Sequence, residues 1–162
     1  EIVWTQTLPA SIVYGSVGPT LTATGGASGK SVIFTGTAGI CTVPSAGGPV
    51  TIDKVGICTI TATQAADDAG NYTAAGPVSK SFEITKASQT IVWDQTLPSS
   101  IVYGSVAPTL TATGGASGQA VTFAGTAGIC TVPPAGGLVT IVKVGTCLIT
   151  ATQAGDANDR LH

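Results

Sequence analysis

The sequence predicts an all-β protein made of two tandem β-sandwich domains. Short runs rich in Val, Ile and Thr alternate with Gly and Pro clusters at roughly ten-residue spacing, which is typical of strands joined by turns. The chain also repeats itself, because Trp4 recurs as Trp93 and Cys41 as Cys130, each time 89 positions later. A period of this length is the size of an autonomous β-sandwich domain and is too long for one turn of a solenoid.

Composition limits the classes of function. Of the 162 residues, 43% are hydrophobic, which is enough for a core, while only 9% are charged. An ordinary soluble domain has about 25% charged residues, so Thr, Ser, Gly and Gln must form the polar surface here, and these favour strands and turns. The net charge of −2 argues against nucleic acid as a partner, because phosphate recognition needs clustered Lys or Arg. No apolar run reaches the ~18 residues that cross a bilayer, so no membrane span is predicted in this segment.

Strands are predicted at seven places in the first copy, separated by stretches rich in turn residues. The predicted turns are "PASIVYGSVGP", "GGASG", "GTAG", "PSAGG" and "KVG", and the predicted strands are residues 2–6, 20–24, 31–35, 40–43, 50–53, 57–64 and 78–85. The repeat predicts domain boundaries at residues 1–86 and 87–162. Because the second copy contains no counterpart of residues 77–85, we expect domain 2 to lack its last strand.

Period-two alternation predicts which side chains face the core. In "ICTITATQ" the side chains of Cys58, Ile60 and Ala62 share one face of the strand, and Thr59 and Thr61 share the other. The same alternation predicts that the following residues also face inward: Leu21, Ala23, Val32, Phe34, Cys41 and Val43, with Ile2, Trp4 and Leu8 closing one end. This core is small for one domain, so we expect a crosslink to stabilise it.

Two cysteines at identical spacing in each copy predict one disulfide within each domain, Cys41 with Cys58 and Cys130 with Cys147. The bonded cysteines are expected on inward faces of neighbouring strands, and closing such a loop contributes on the order of 3 kcal/mol. A zinc site needs about four ligands, and each copy has two cysteines and no nearby histidine. Buried free thiols are the alternative that stays open. Disulfides indicate an oxidising compartment, so we expect an extracellular or cell-surface location.

The repeated segments resemble a known family. The run "QTIVWDQTLPSSIVYGSVAPTLTATGGASGQAVTF", followed by "GICTV", "VTI" and "GTCLITATQAGDAN", is similar to MBG-type bacterial immunoglobulin-like repeats. The resemblance implies two tandem immunoglobulin-like β-sandwich domains of the kind found in long bacterial surface and secreted proteins, including adhesins. The sequence departs from the family pattern at "NDRLH", where "GNYTAAG" stands in the first copy, and this again predicts an incomplete second domain.

No arrangement of residues predicts catalysis, and we expect the protein not to be an enzyme. The only histidine is His162, at the very end, so a Ser-His-Asp or Cys-His arrangement is not available. Four carboxylates that follow the "ATQA" segments are candidate calcium ligands: Asp67, Asp68, Asp156 and Asp159. Calcium takes about six to eight oxygen ligands, so solvated loop acids are the simpler interpretation, and no cofactor or metal is predicted.

Two further patterns have a functional and a structural interpretation. "TGGASGK" has the glycines of a phosphate-binding loop but lacks the Gly-Lys-Ser/Thr spacing, and its copy reads "TGGASGQ", so a hairpin loop is favoured. Four aromatic residues at equivalent places in the two copies would suit a carbohydrate-stacking platform, but their repetition favours a place in the core or at a corner: Trp4, Tyr14, Trp93 and Tyr103.

The leading functional prediction is a structural spacer or stalk module of an extracellular bacterial surface or secreted adhesin-like protein. Its partners would be neighbouring immunoglobulin-like repeats of a longer parent chain, which the lack of any methionine also indicates. The junction "FEITKASQTIVW" leaves only a few residues between domains, which favours a stiff array. Two alternatives are a module that binds a glycan or host protein, and a fibre subunit whose second domain is completed by a strand-donating partner chain.

Overall fold

A computed structural model describes residues 1–157, and all regular structure in this part of the chain is β. The predicted all-β class is confirmed. The chain forms two compact units, Glu1–Ala87 (unit 1) and the part from Ser88 onward (unit 2). Within residues 1–157, no helix has the length and apolar character needed to cross a membrane.

Unit 1 contains ten strands, most of them short because Gly and Pro interrupt the chain so often. They are β1 (Val3–Trp4), β2 (Ser11–Val13), β3 (Thr20–Leu21), β4 (Ala23–Thr24), β5 (Val32–Thr35), β6 (Cys41–Thr42), β7 (Gly48–Pro49), β8 (Thr51–Ile52), β9 (Gly56–Gln64) and β10 (Ala75–Thr85).

One sheet of unit 1 has four strands in the order β2-β10-β9-β5. Strand β10 pairs antiparallel with β9, placing Phe82 opposite Cys58, and parallel with β2, placing Ile84 opposite Ile12. The other strands form the antiparallel pairs β1–β4, β3–β7 and β6–β8. This four-stranded sheet and the three short antiparallel pairs form an immunoglobulin-like β-sandwich.

The core of unit 1 lies on the inward face of this sheet. Cys58, Ile60 and Ala62 are each 0% exposed, as the alternation in β9 predicts. Phe82 and Ile84 of β10 complete the same face. Other buried members of the cluster come from the short strands and their connections: Ile2, Leu21, Phe34, Cys41 and Val50.

The prediction that "PASIVYGSVGP" is a turn is wrong for its central part, where Ser11–Val13 forms β2. This strand depends on a partner from the far end of the unit. Tyr14 donates its backbone N–H to the carbonyl oxygen of Thr85 at 2.8 Å, and Glu83 donates to that of Ala10 at 3.0 Å. The surrounding Pro and Gly residues indicate turns locally, whereas the pairing is long-range and leaves no local signal.

The predicted strand at residues 20–24 is divided in two. Thr20–Leu21 pairs with β7, whereas Ala23–Thr24 pairs with β1, and Thr22 lies between them. The chain changes its hydrogen-bonding partner within five residues, which alternation alone cannot indicate. The β7 strand itself begins inside the predicted turn "PSAGG".

Unit 2 repeats four of these pairings. Its described strands are β11 (Val92–Trp93), β12 (Thr109–Leu110), β13 (Ala112–Thr113), β14 (Val121–Gly125), β15 (Cys130–Thr131), β16 (Gly137–Leu138), β17 (Thr140–Ile141) and β18 (Ile149–Gln153). They pair antiparallel as β11–β13, β12–β16, β14–β18 and β15–β17. Up to residue 157, no strand of unit 2 corresponds to β2 or β10.

Candidate functional site

Each unit contains one disulfide, and the predicted intradomain crosslinks are confirmed. Cys41 is bonded to Cys58 and Cys130 to Cys147, with a Cα–Cα distance of 5.8 Å in both cases. No cysteine is free. Each bond closes a segment with a sequence separation of 17, which contributes about 3 kcal/mol in the chain-entropy description.

The disulfide of unit 1 joins two different sheets. Cys41 lies on β6, which pairs with β8, whereas Cys58 lies on β9 of the four-stranded sheet. The expectation of neighbouring strands is therefore wrong, since no hydrogen-bonded ladder connects β6 to β9. Gly36 lies against the bond, and a Cβ there would be 3.3 Å from Cys41 Sγ and 2.6 Å from a methyl of Val43. A glycine at this position lets the chain pass close to the sulfur.

Buried glutamines close the "GGASG" loops. In unit 1, Gln64 accepts the Gly26 N–H at 2.7 Å through Oε1 and donates through Nε2 to the carbonyl oxygen of Lys30 at 2.6 Å. In unit 2, Gln153 accepts the Gly115 N–H at 2.7 Å and donates to the Gln119 carbonyl oxygen at 2.7 Å. Each buried glutamine thus pairs its own amide with partly buried backbone groups of the loop.

This arrangement explains the glycines that resemble a phosphate loop. A Cβ on Gly25 would lie 2.4 Å from Nε2 of Gln64, and one on Gly114 would lie 2.5 Å from Nε2 of Gln153. The glycines make room for the glutamine side chain. The sequence interpretation missed this role, although the joint repetition of "GGASG" and "ATQ" was a signal for it.

Two candidate calcium ligands have other partners in the structure. Asp67 accepts the backbone N–H groups of Tyr72 at 2.7 Å and Asn71 at 3.3 Å, closing its own turn. The Tyr72 hydrogen bond is the main cause that lowers the pKa of the Asp67 carboxyl. Asp68 forms a 2.5 Å ion pair with Lys30 at the surface. Exposed pairs of this kind contribute little to stability.

The second pair of candidate ligands is only partly described. Asp156 is exposed, and Asp159 lies outside the described residues. Within residues 1–157, no three His, Cys, Asp or Glu side chains are grouped so that they could hold a metal ion.

The aromatic residues at equivalent positions differ between the units. Trp4 packs edge-on against Phe34 with ring centroids 5.5 Å apart, and Lys80 Nζ of β10 lies 5.4 Å from the Trp4 ring centroid. Trp93 packs on Phe123 in the same way, at 5.6 Å, but is 36% exposed. Both tryptophans are therefore core or corner residues. The Trp93 side chain of unit 2 is more exposed to solvent than the Trp4 side chain of unit 1.

Unit 2 contains an open cleft. It has a volume of about 330 Å³, and its lining residues are mostly apolar. Residues that line it include Leu97, Ile101, Tyr103, Val144, Cys147 and Ile149. Tyr103 is 60% exposed and Val144 is 76% exposed. We call this feature the unit 2 cleft.

The strand order and the two disulfides define the class of protein: a tandem of immunoglobulin-like β-sandwiches, each with its own crosslink. Solved cadherin structures are similar to the chain at low identity. They include Drosophila N-cadherin EC1-4 (12% identity, TM-score 0.42, 95% of this chain covered) and mouse cadherin-23 EC22-24 (16% identity, TM-score 0.39, 99% covered). The chain spans 46% and 63% of the length of those two structures. No protein-family model and no curated protein matches the sequence.

Proposed function

We propose that the chain is a structural spacer module of an extracellular surface or secreted adhesin-like protein, and that it acts mechanically and not catalytically. Its partners would be neighbouring repeats of the same type in a longer chain. The resemblance to MBG-type repeats supports a bacterial source. The disulfide in each unit supports an oxidising compartment, because cytosolic thiols are kept reduced.

The position of the disulfides is the observation that carries this proposal. In unit 1 the bond joins β6 to β9 across the core, so the segment between Cys41 and Cys58 cannot extend while the bond is intact. The same bond occurs in unit 2 between Cys130 and Cys147. A limit on extension in every repeat suits a chain that carries tension between its ends.

The loops support a spacer better than a ligand-binding tip. In each "GGASG" loop a backbone N–H is hydrogen-bonded to a buried glutamine of the same unit, Gln64 or Gln153. The Asp67 carboxylate likewise accepts a hydrogen bond within its own turn. Loops that bind ligands are usually the variable parts of a scaffold, whereas the two "GGASG" loops have the same sequence.

Pulling single molecules by their two ends tests the proposal. We expect a resolved unfolding event for unit 1, with a contour-length gain that grows when its disulfide is opened. The added length is about 50 Å, because a separation of 17 residues extends at roughly 3.4 Å per residue and the 5.8 Å between the Cα atoms is already spanned.

The control for the pulling experiment is the Cys41→Ser/Cys58→Ser variant under oxidising conditions. It should reproduce the longer extension of the reduced chain in unit 1 while unit 2 keeps its short one. A chain that stretches with no resolved unfolding event, or with the same length in oxidised and reduced states, would contradict the mechanical role.

A further inference from the structure

Hydrogen bonds join an early segment of unit 1 to its last strand. Tyr14 donates its backbone N–H to the carbonyl oxygen of Thr85 at 2.8 Å, and Glu83 donates to that of Ala10 at 3.0 Å. The Thr85 hydroxyl donates to the carbonyl oxygen of Ile12 at 3.4 Å, across 73 positions of the chain. These contacts belong to the parallel pair of β2 and β10, which we call the β2–β10 seam.

One side chain of β10 extends the seam to the residues before β2. Lys80 alternates with the buried Phe82 along β10, so the two side chains share the inward face of the strand. Lys80 Nζ lies 5.4 Å from the centroid of the Trp4 ring, a distance at which a cation is attracted to the ring face. It also donates to the carbonyl oxygen of Gln6 at 3.3 Å. Both contacts hold the segment before β2 against β10.

The parallel direction of the seam determines how it responds to tension. Tension between the two ends of unit 1 reaches β2 at its first residue and β10 at its last residue. Because the two strands are parallel, it pulls them along their axes in opposite directions. The hydrogen bonds of the seam are then loaded together, since the strands must slide past each other before they separate. In an antiparallel pair that is pulled open from one end, the hydrogen bonds break one at a time.

The seam lies directly on the path of the load through unit 1. Among residues 1–10 the only strand is β1, which has two residues and pairs only with β4. Releasing this short pair leaves β2 as the first strand under load. At the other end, Thr85 is the last residue of both the seam and β10, and the chain continues from it into unit 2. The load therefore reaches the seam from both sides.

We propose that the β2–β10 seam, together with Lys80, is the element that keeps unit 1 closed under tension. The seam sets the force at which unit 1 opens, and the disulfide between Cys41 and Cys58 then limits how far the opened unit extends. This inference rests on the proposed mechanical role, because a module that carries no tension would not load the seam.

Tyr14 allows one hydrogen bond of the seam to be removed while the local backbone is kept. Ser16 donates its N–H to the carbonyl oxygen of Val13 at 3.1 Å, and Gly15 has a φ of 84°. This four-residue turn thus has the positive φ that a type II turn requires at its third position, and proline is favoured at the second, which is Tyr14. Tyr14→Pro therefore fits the turn and removes the N–H that joins β2 to β10. Tyr14→Ala is the matched control, because it loses the same side chain and keeps the N–H.

Pulling single molecules of the full 162-residue chain by its two ends tests the proposal. Each variant is also made with Cys41→Ser/Cys58→Ser, which lengthens only the unit 1 event and so identifies it. Forced unfolding is governed by the rate of unfolding and not by the equilibrium stability. We expect Tyr14→Pro to lower the unfolding force of unit 1 and to raise its unfolding rate roughly tenfold over Tyr14→Ala, because the lost hydrogen bond holds the closed state and is broken at the transition state.

Lys80→Met is an independent variant, since it keeps an unbranched side chain and removes both contacts of the Nζ. It should also raise the unfolding rate of unit 1, whereas Lys54→Met, the same change at an exposed lysine in a turn, should not. Equal unfolding rates for Tyr14→Pro and Tyr14→Ala would overturn the seam proposal and leave the spacer role intact. Equal rates for the two lysine variants would overturn the part assigned to Lys80. A chain in which unit 1 gives no resolved unfolding event would overturn both the seam and the spacer role.

Discussion

Gln64 and Gln153 show how single residues determine the ends of these sandwiches. Each lies at the end of a long strand, is almost fully buried, and connects that strand to a Gly-rich loop through hydrogen bonds to the backbone. The sequence identifies both residues only as the last position of an alternating strand. Their role depends on a loop 38 positions away, so strand periodicity does not indicate it.

At this scale we predict that Gln64→Leu destabilises unit 1. The leucine leaves the Gly26 N–H and the Lys30 carbonyl without partners, and a buried polar group without a partner costs about 1–3 kcal/mol. The free energy of unfolding of unit 1, measured by urea denaturation, should fall by that amount.

The matched control for Gln64→Leu is Thr63→Val, which changes the exposed neighbour on the same strand and keeps a β-branched side chain. Its effect should stay within about 0.5 kcal/mol, as for most surface substitutions. Equal stability of the Gln64→Leu chain and the unchanged chain would show that water satisfies the loop and that the glutamine does not hold it.

Among the elements, β10 matters most for unit 1. It is the longest strand, it pairs with a strand on each side, and it completes the core face of the sheet. Because β2 depends on it for pairing, one strand late in the unit determines the structure of a segment near its beginning.

Neighbouring residues on β10 provide the test at this scale. Phe82 is 2% exposed, so Phe82→Ala should lower the free energy of unfolding of unit 1 by about 3–5 kcal/mol. Ser81 points to solvent, and Ser81→Ala should change it by less than about 0.5 kcal/mol. Chemical denaturation followed by residue-resolved NMR separates the units, and unit 2 should be unaffected. Similar effects of the two substitutions would contradict the assigned faces of β10.

The comparison of elements also shows what the sequence can predict. Alternation in β9 predicts the buried face containing Cys58 and Ile60, because a strand's own period encodes its two faces. No local sequence pattern predicts the pairing of β2 with β10, because the residues around Ser11–Val13 are typical of turns. In the sequence, only the shorter second copy indicates the unit 2 cleft. The volume of the cleft and its lining residues are known only from the structure.

At the scale of the whole molecule, the two units can be compared directly with each other. They share sequence, four strand pairings and a disulfide, and among residues 1–157 only unit 1 has a strand at the position of β10. The larger core of unit 1 and the open cleft of unit 2 follow from that one difference. The account of function depends on each unit being closed by its own disulfide.

A tryptic peptide map under non-reducing conditions tests this claim most directly. The basic residues place the four cysteines in four different peptides, residues 31–54, 55–80, 87–143 and 144–160. We predict that mass spectrometry finds 31–54 linked to 55–80, and 87–143 linked to 144–160, with no free thiol. A link between a peptide of the first copy and one of the second, or four unlinked peptides, would contradict two separately crosslinked sandwiches.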